Sequence, residues 1–316
     1  MRPADRIPLD LLRARLPLFS EFELLGQGGF GAVYTIYDRG MGLRAALKVS
    51  RVEPAQGEMM PAERFLREVR ILVRSSNVPG LVRVYRHGAI EVDGAPGEAL
   101  LWYTMELCDG SLKEALPDLP LSARVSVVEQ LLEVLCYLEA WGIAHRDLKP
   151  ENVFLADRTP NSIVIKLGDF GIARGTRLSA DYQRTLTDQN YRLGSPIYMP
   201  PELFLSATEP DLLRGDQYSA GLVIHGVLSG GQMPLAGSFG TLAGILRAKR
   251  QGLVPLKVPG YRAPPAALSG VERCLRRMSD PEPDARYKNM AEAARALRSA
   301  MALADLSATA PMGLGS

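Results

Sequence analysis

The apolar positions of this chain recur at two spacings. Residues 32–37 are β-branched and aromatic and predict a strand, as do the apolar runs at 43–50 and 163–167. Residues 81–87 and 99–107 predict a further strand pair. Between them, Gly88, Gly94, Pro96 and Gly97 make 88–97 a turn-rich hairpin connection. Elsewhere the spacing is helical. Apolar residues at 65, 66, 69, 72 and 73, behind Pro61, predict an amphipathic helix. A longer helix is predicted over 124–141, with apolar residues at 127, 128, 131, 132, 135 and 138 and Gly142 as its stop. Further helices are predicted near 241–250 and 289–304. Residues 10–16 read equally as a short helix packed on the main body and as a frayed terminus.

Composition narrows the class. A length of 316 residues suggests roughly two domains. With 47% hydrophobic and 23% charged residues, a soluble globular chain with a sizeable core is expected. A net charge of +2 announces neither a nucleic-acid surface nor an acidic tail. The three cysteines, Cys108, Cys136 and Cys274, are odd in number and sparse, which argues for a reducing compartment over a disulfide framework. The chain has no apolar run long enough to span a membrane. Residues 1–5 place charge and proline where a signal peptide needs an apolar core. A cytoplasmic protein without nucleic-acid or membrane partners is expected, and there is no internal repeat.

Chemistry gathers in one stretch: His145, Arg146, Asp147, Leu148, Lys149, Pro150, Glu151 and Asn152, followed after a short strand by Asp169, Phe170 and Gly171. Loop, hairpin, strand and acid can bring carboxylates within reach of a metal and a hydroxyl together. A second stretch holds Gly26, Gly28 and Gly31 in the G-x-G-x-x-G pattern. In a dinucleotide fold the third glycine opens a helix. Here a strand follows, so the pattern reads as a hairpin flap whose backbone amides can approach phosphate oxygens. Lys48 lies in an apolar strand and wants an acidic partner. Glu68 sits next to the apolar stripe of the 61–73 helix and is preferred over the competing Glu63.

The octet resembles the catalytic loop of eukaryotic-type (Hanks-type) serine/threonine protein kinases, which have bacterial members. Asp169–Phe170–Gly171 resembles their metal-binding motif. The resemblance covers roughly 22–300 and implies an α+β, two-lobed protein-kinase fold. Its small β-rich N-lobe would occupy 20–108 and its larger helical C-lobe 109–304, flanked by an extension at 1–19 and a disordered tail at 305–316. ATP and Mg²⁺ are the implied cofactors and protein hydroxyls the implied substrates. Asp147 would accept the hydroxyl proton, Lys149 would set a charge near the migrating phosphoryl group, and Asn152 and Asp169 would hold Mg²⁺. Lys48, paired with Glu68, would aim at the α- and β-phosphates under the Gly26, Gly28 and Gly31 flap. Val33, Ala46 and Phe154 would line the adenine site, and Met105 would guard its back. The carbonyl of Glu106 and the backbone of Cys108 would meet the adenine edge. His145 is expected to pack and hydrogen-bond, and Asp216 to brace the loop.

The same resemblance makes 171–194 an activation segment with hydroxyls at Thr176, Ser179, Thr185 and Thr187. Phosphorylation of Thr187, or next of Thr185, would dock it on Arg146. Autophosphorylation in trans would need self-association. Pro200 stands where the family usually shows alanine or serine; Lys149 and Ser195 match the serine/threonine branch. Glu202 and Arg286 occupy positions that the family pairs. Three rival readings fit the residues less well. A pseudokinase scaffold would bind nucleotide without turnover, yet every expected catalytic residue is present. A small-molecule kinase of related fold generally lacks the 148–151 run and the 200–202 closure. A dinucleotide oxidoreductase fails on the strand after Gly31.

Overall fold

The computed structural model describes residues 7, 9–28, 31–52, 69–70, 72–73, 78–92, 98–159, 162–170, 195–205 and 211–306. The chain divides into two compact units, Met1–Cys108 and Asp109–Ser316.

The first unit is built on an antiparallel sheet of five strands in the order β1-β2-β3-β5-β4. These are β1 (Phe19–Gly28), β2 (Gly31–Asp38), β3 (Leu43–Val52), β4 (Val84–Glu91) and β5 (Ala99–Glu106). Side chains alternate faces along a strand. One face carries Ala32, Tyr34, Ile36, Ala45, Leu47, Val49, Leu100 and Trp102. A helix, α1 (Leu9–Arg15), packs against this face and buries Leu12, with Ile7 and Leu16 on either side of it. Between a packed helix and a frayed end, the apolar spacing of 9–16 therefore yields the helix. Removing Leu12 from water contributes about 2 kcal/mol. The opposite face carries Val33, Ala46, Lys48, Tyr103 and Met105, as cross-strand pairing of Val33 with Lys48, Lys48 with Tyr103, and Ala46 with Met105 requires.

Strand β4 begins later than the apolar pattern suggests and runs through Gly88 to Glu91. Gly88 is a strand residue, and its cross-strand partner is Trp102. A Cβ there would lie 2.7 Å from the indole, so glycine makes room for the ring and does not turn the chain. Of the predicted 61–73 helix, residues 69–70 and 72–73 are described as helical, with Val69 and Leu72 buried.

The second unit is helical around one short hairpin. Its elements are α2 (Leu112–Ala115), α3 (Leu121–Ala140), β6 (Val153–Thr159), β7 (Ser162–Leu167), α4 (Glu202–Leu205), α5 (Leu212–Leu228), α6 (Leu242–Gln251), α7 (Ser269–Met278) and α8 (Met290–Leu303). Helix α3 packs on β7, α5 and α8. All six apolar positions that predicted it are buried, namely Val127, Val128, Leu131, Leu132, Leu135 and Leu138. Helix α5 is buried from Gly215 to Leu228, as its near-continuous apolar sequence demands. Asp211 caps it, accepting from the amides of Leu213 and Arg214 at 3.1 Å each. Most of its buried polar groups have partners, although His225 Nδ1 has none among the described residues. Gln217, for example, exchanges two hydrogen bonds with the Tyr287 backbone, at 3.2 and 2.8 Å.

Order continues past 304. Asp305 adopts φ 55° after α8, and Leu306 turns back to bury its side chain while its amide donates to Met301 O at 2.8 Å. This is a Schellman cap closed by aspartate in place of glycine.

Candidate active site

In the second unit, the residues between α3 and β6 are held from below. Asp216, buried on α5, accepts the amide of Arg146 at 2.8 Å on one oxygen and that of His145 on the other. Burial pushes its carboxyl up to about 7, while the two amides pull the other way. Two amides fixed on one rigid helix leave the loop little freedom just before Asp147.

His145 is fully buried. Its Nε2 lies 3.0 Å from Gly168 O, and its Nδ1 accepts from the Asp147 amide at 3.3 Å. A neutral imidazole offers one donor and one acceptor, and both are used. Burial drives its pKa down to about 4, so the ring is neutral at physiological pH. It also stacks at a tilt on Phe170, with centroids 4.7 Å apart. His145 thus joins the loop to the residues after β7, without presenting a proton to solvent.

The hairpin does the rest. Register pairs Val153 with Leu167, so the residues just outside, Asn152 and Gly168, are brought together. Gly168 N donates to Asn152 O at 3.1 Å. The Asn152 amide nitrogen reaches Asp147 O at 2.8 Å, Asp147 Oδ2 at 3.1 Å and Asp169 O at 3.4 Å. Lys149 Nζ meets the same Asp147 Oδ2 at 2.7 Å. Asp147 and Lys149 are mostly buried, with side-chain exposures of 12% and 16%. Arg146 and Asp169 take left-handed φ values of 69° and 59°. Such conformations cost about 1–3 kcal/mol each and persist where the surroundings impose them.

The family model described as protein kinase domain matches residues 19–264. The chain belongs to the protein kinase domain family. This kinase domain is 32% identical over 298 residues to the serine/threonine-protein kinase Pkn1 of Myxococcus xanthus, a match covering 92% of the chain and 39% of Pkn1. It is 33% identical over 279 residues to CBL-interacting protein kinase 4 of Oryza sativa subsp. japonica, covering 85% of the chain and 56% of that protein. It therefore spans only part of the length of these relatives. Among solved structures, Rad53 residues 1–466 in complex with AMP-PNP matches with a TM-score of 0.61 at 22% identity, covering 89% of this chain and 65% of that one. That likeness shows the kinase fold, with its five-stranded sheet and its helical part.

The kinase domain distributes its expected site residues as follows. Asp147, Lys149, Asn152 and the Asp169 backbone are brought together, with Phe154 in the adjoining strand, bridged to Ser111. In the first unit, Val33, Ala46, Lys48 and Met105 share one sheet face. Lys48 Nζ lies 5.7 Å from the centre of the Tyr103 ring. Gly26, Gly28 and Gly31 lie in the β1–β2 hairpin, with Gly28 paired to Gly31. Gly31 has φ 127°, and a Cβ on it would fall 2.0 Å from Val49 O, so no other residue fits there unstrained. Glu106 closes β5, its amide on Arg83 O at 2.9 Å and its carboxylate on the Arg83 amide at 2.7 Å; Cys108 ends the unit. Glu68, Thr185 and Thr187 lie outside the described residues.

The metal donors suit a hard cation. Asn152 commits its nitrogen to three oxygens, one of them the Asp169 backbone carbonyl, so its side-chain carbonyl oxygen is the atom that could take a metal. Few protein oxygens with phosphate and water completing the sphere is the pattern Mg²⁺ favours. Among the described residues no cluster of three or more His, Cys, Asp or Glu side chains is poised for a metal.

Two residues escaped the sequence reading. Ser219 and Lys249 both bind the carbonyls of 197–199. A signal existed for Lys249, because it follows Ile245 by one helical turn on the apolar stripe of α6.

Proposed function

We propose that this domain is an ATP- and Mg²⁺-dependent protein kinase that transfers the γ-phosphoryl group to serine or threonine hydroxyls of protein substrates. One observation supports this most: Asp147 Oδ2 receives both Lys149 Nζ and Asn152 Nδ2, at 2.7 and 3.1 Å. Two donors on one oxygen orient the carboxylate. Asp147 so oriented accepts the proton of an incoming hydroxyl and holds the oxygen in line. Lys149 sets its ammonium where negative charge moves during transfer. Phosphoryl transfer asks a protein chiefly for such positioning and charge neutralisation. Asn152 and Asp169 would hold Mg²⁺, which when bound neutralises phosphate charge. Lys48, steadied by Glu68, would orient the α- and β-phosphates. Gly26, Gly28, Gly31, Val33, Ala46, Met105, Glu106, Cys108 and Phe154 would contact the nucleotide.

Regulation follows from Arg146. A phosphate on Thr187 or Thr185 would dock the 171–194 segment on its guanidinium and raise activity, with trans-autophosphorylation between transiently associated copies as the route. We place the protein in the cytoplasm, acting on protein partners and on neither nucleic acid nor membrane. Among the described residues no helix is long and apolar enough to cross a membrane.

Incubation with γ-labelled ATP and a degenerate serine/threonine peptide pool tests the reading. Label is expected on phosphoserine or phosphothreonine with Mg²⁺ and is expected to vanish with a chelator. Nucleotide binding without transfer would contradict it.

A further inference from the structure

Prolines at 196, 200 and 201 deprive the chain before α4 of amide donors, and among the described residues 195–201 the one regular piece is a 3-10 turn, Ser195–Ile197. Its carbonyls must find partners elsewhere. Three successive ones find side chains. Ser219 Oγ on α5 donates to Tyr198 O at 2.8 Å. Lys249 Nζ on α6 donates to Met199 O at 2.6 Å and to Ile197 O.

Lys249 is an unusual choice for that task. It is fully buried, with 0% exposure. Its ammonium lies 5.2 Å from the centre of the Tyr218 ring. No carboxylate pairs with it among the described residues. A buried ammonium is unfavourable unless dipoles offset the lost hydration. Here two carbonyls, an aromatic face and the nearby Glu202 carboxylate provide a partial offset, and burial still pulls the amine down to about 7.

The segment it secures runs beside the catalytic loop. Tyr198 is raised by burial first and then by the nearby Glu151 carboxylate. Glu151 shares the 3-10 turn Pro150–Asn152 with Asn152. Pro200 packs over Gly215, next to Asp216, which holds the Arg146 amide. The 197–199 backbone thus neighbours both the Pro150–Asn152 turn and the Asp216 anchor of the Asp147 loop.

We propose that Lys249 is a positioning residue for the acceptor polypeptide, fixing the 197–199 backbone beside the Asp147 loop. The inference rests on the protein-kinase reading above. Among the described residues Lys249 contacts the 197–199 carbonyls and the Tyr218 ring, so its loss is expected to act on acceptor binding and to leave ATP handling alone.

The test compares wild type, Lys249→Met and Ser219→Ala. Methionine keeps the length of lysine and removes its donors. Three quantities are measured: KM for the serine/threonine peptide pool, KM for ATP, and slow ATP hydrolysis without peptide. Lys249→Met is expected to raise the peptide KM about tenfold, the scale of a lost hydrogen-bonded anchor. ATP KM and hydrolysis are expected to stay within about twofold of wild type, since uniform acceptor binding alone is removed. Ser219→Ala is expected to shift the peptide KM in the same direction by less. An unchanged peptide KM in folded Lys249→Met would overturn the proposal. So would a parallel fall in hydrolysis and transfer, the mark of a merely structural lysine. If Lys249→Met does not fold, an unchanged peptide KM in Ser219→Ala overturns it. Wild-type protein that transfers phosphate to neither peptide nor water would overturn the kinase reading and this proposal together.

Discussion

Arg286 and Glu202, 84 residues apart, meet in a two-pronged ion pair inside the second unit, at 2.7 and 2.8 Å. The remaining guanidinium donors reach the carbonyls of Asp280 at 2.8 Å, Arg214 at 2.9 Å and Pro281 at 3.4 Å. The Arg286 side chain is fully buried and lies over the Tyr218 ring. Arg286→Ala strands a buried carboxylate and three carbonyls. It is expected to cost about 3–5 kcal/mol and to lower Tm by roughly 10 °C. A calorimetric scan checks this, and an unchanged Tm would contradict it.

His145 carries a prediction about pH. Its folded pKa of about 4 lies below the usual 6.5 because burial disfavours the imidazolium. As pH falls from 6.5 to 4 the unfolded chain takes up a proton that the folded one refuses. Folding therefore loses up to about 3 kcal/mol over that window, at about 1.4 kcal/mol per pH unit. Asp216 works in the opposite sense, since its folded pKa is raised to about 7 and acid favours its folded form. Because the two oppose each other, NMR of the ring is the clean readout. The imidazole signal that vanishes in His145→Gln is expected to titrate near pH 4, and a midpoint near 6.5 would contradict the buried neutral ring.

The proposed control at Thr185 and Thr187 is tested in two steps. Mass spectrometry of freshly purified protein is expected to find phosphate on Thr187 or, next, Thr185. The Thr185→Ala/Thr187→Ala variant is expected to lose at least about tenfold in activity, because a phosphate brings about −1.5 to −2 charges to the Arg146 guanidinium. An unmodified segment, with full activity in that variant, would leave Arg146 to its backbone role on Asp216.

Much of this was legible in the sequence where the signal is local. The strand after Gly31, the run from His145 to Asn152 and the stripe of α3 are all set by neighbours a few positions away. Gly88 misled because its reason lies across the sheet, in Trp102. Asp305 hid a helix cap because the turn is closed without glycine. Lys249 hid because a lysine reads as solvated until its partners, contributed by a segment some fifty residues earlier in the chain, are known. The bonds from Asn152 to Asp147 and Asp169 were foreseeable only as a shared site, since spacing does not say which atoms meet.

The central claim is that Asp147 accepts the hydroxyl proton, held by Lys149 and Asn152. Label transfer from γ-labelled ATP to the peptide pool by Asp147→Asn, measured beside its ATP affinity, tests it most directly. Asparagine keeps the shape but cannot take the proton. Transfer is expected to fall by about 10²–10⁴-fold while ATP binds as in wild type. A variant that keeps more than a few per cent of wild-type turnover would contradict the account.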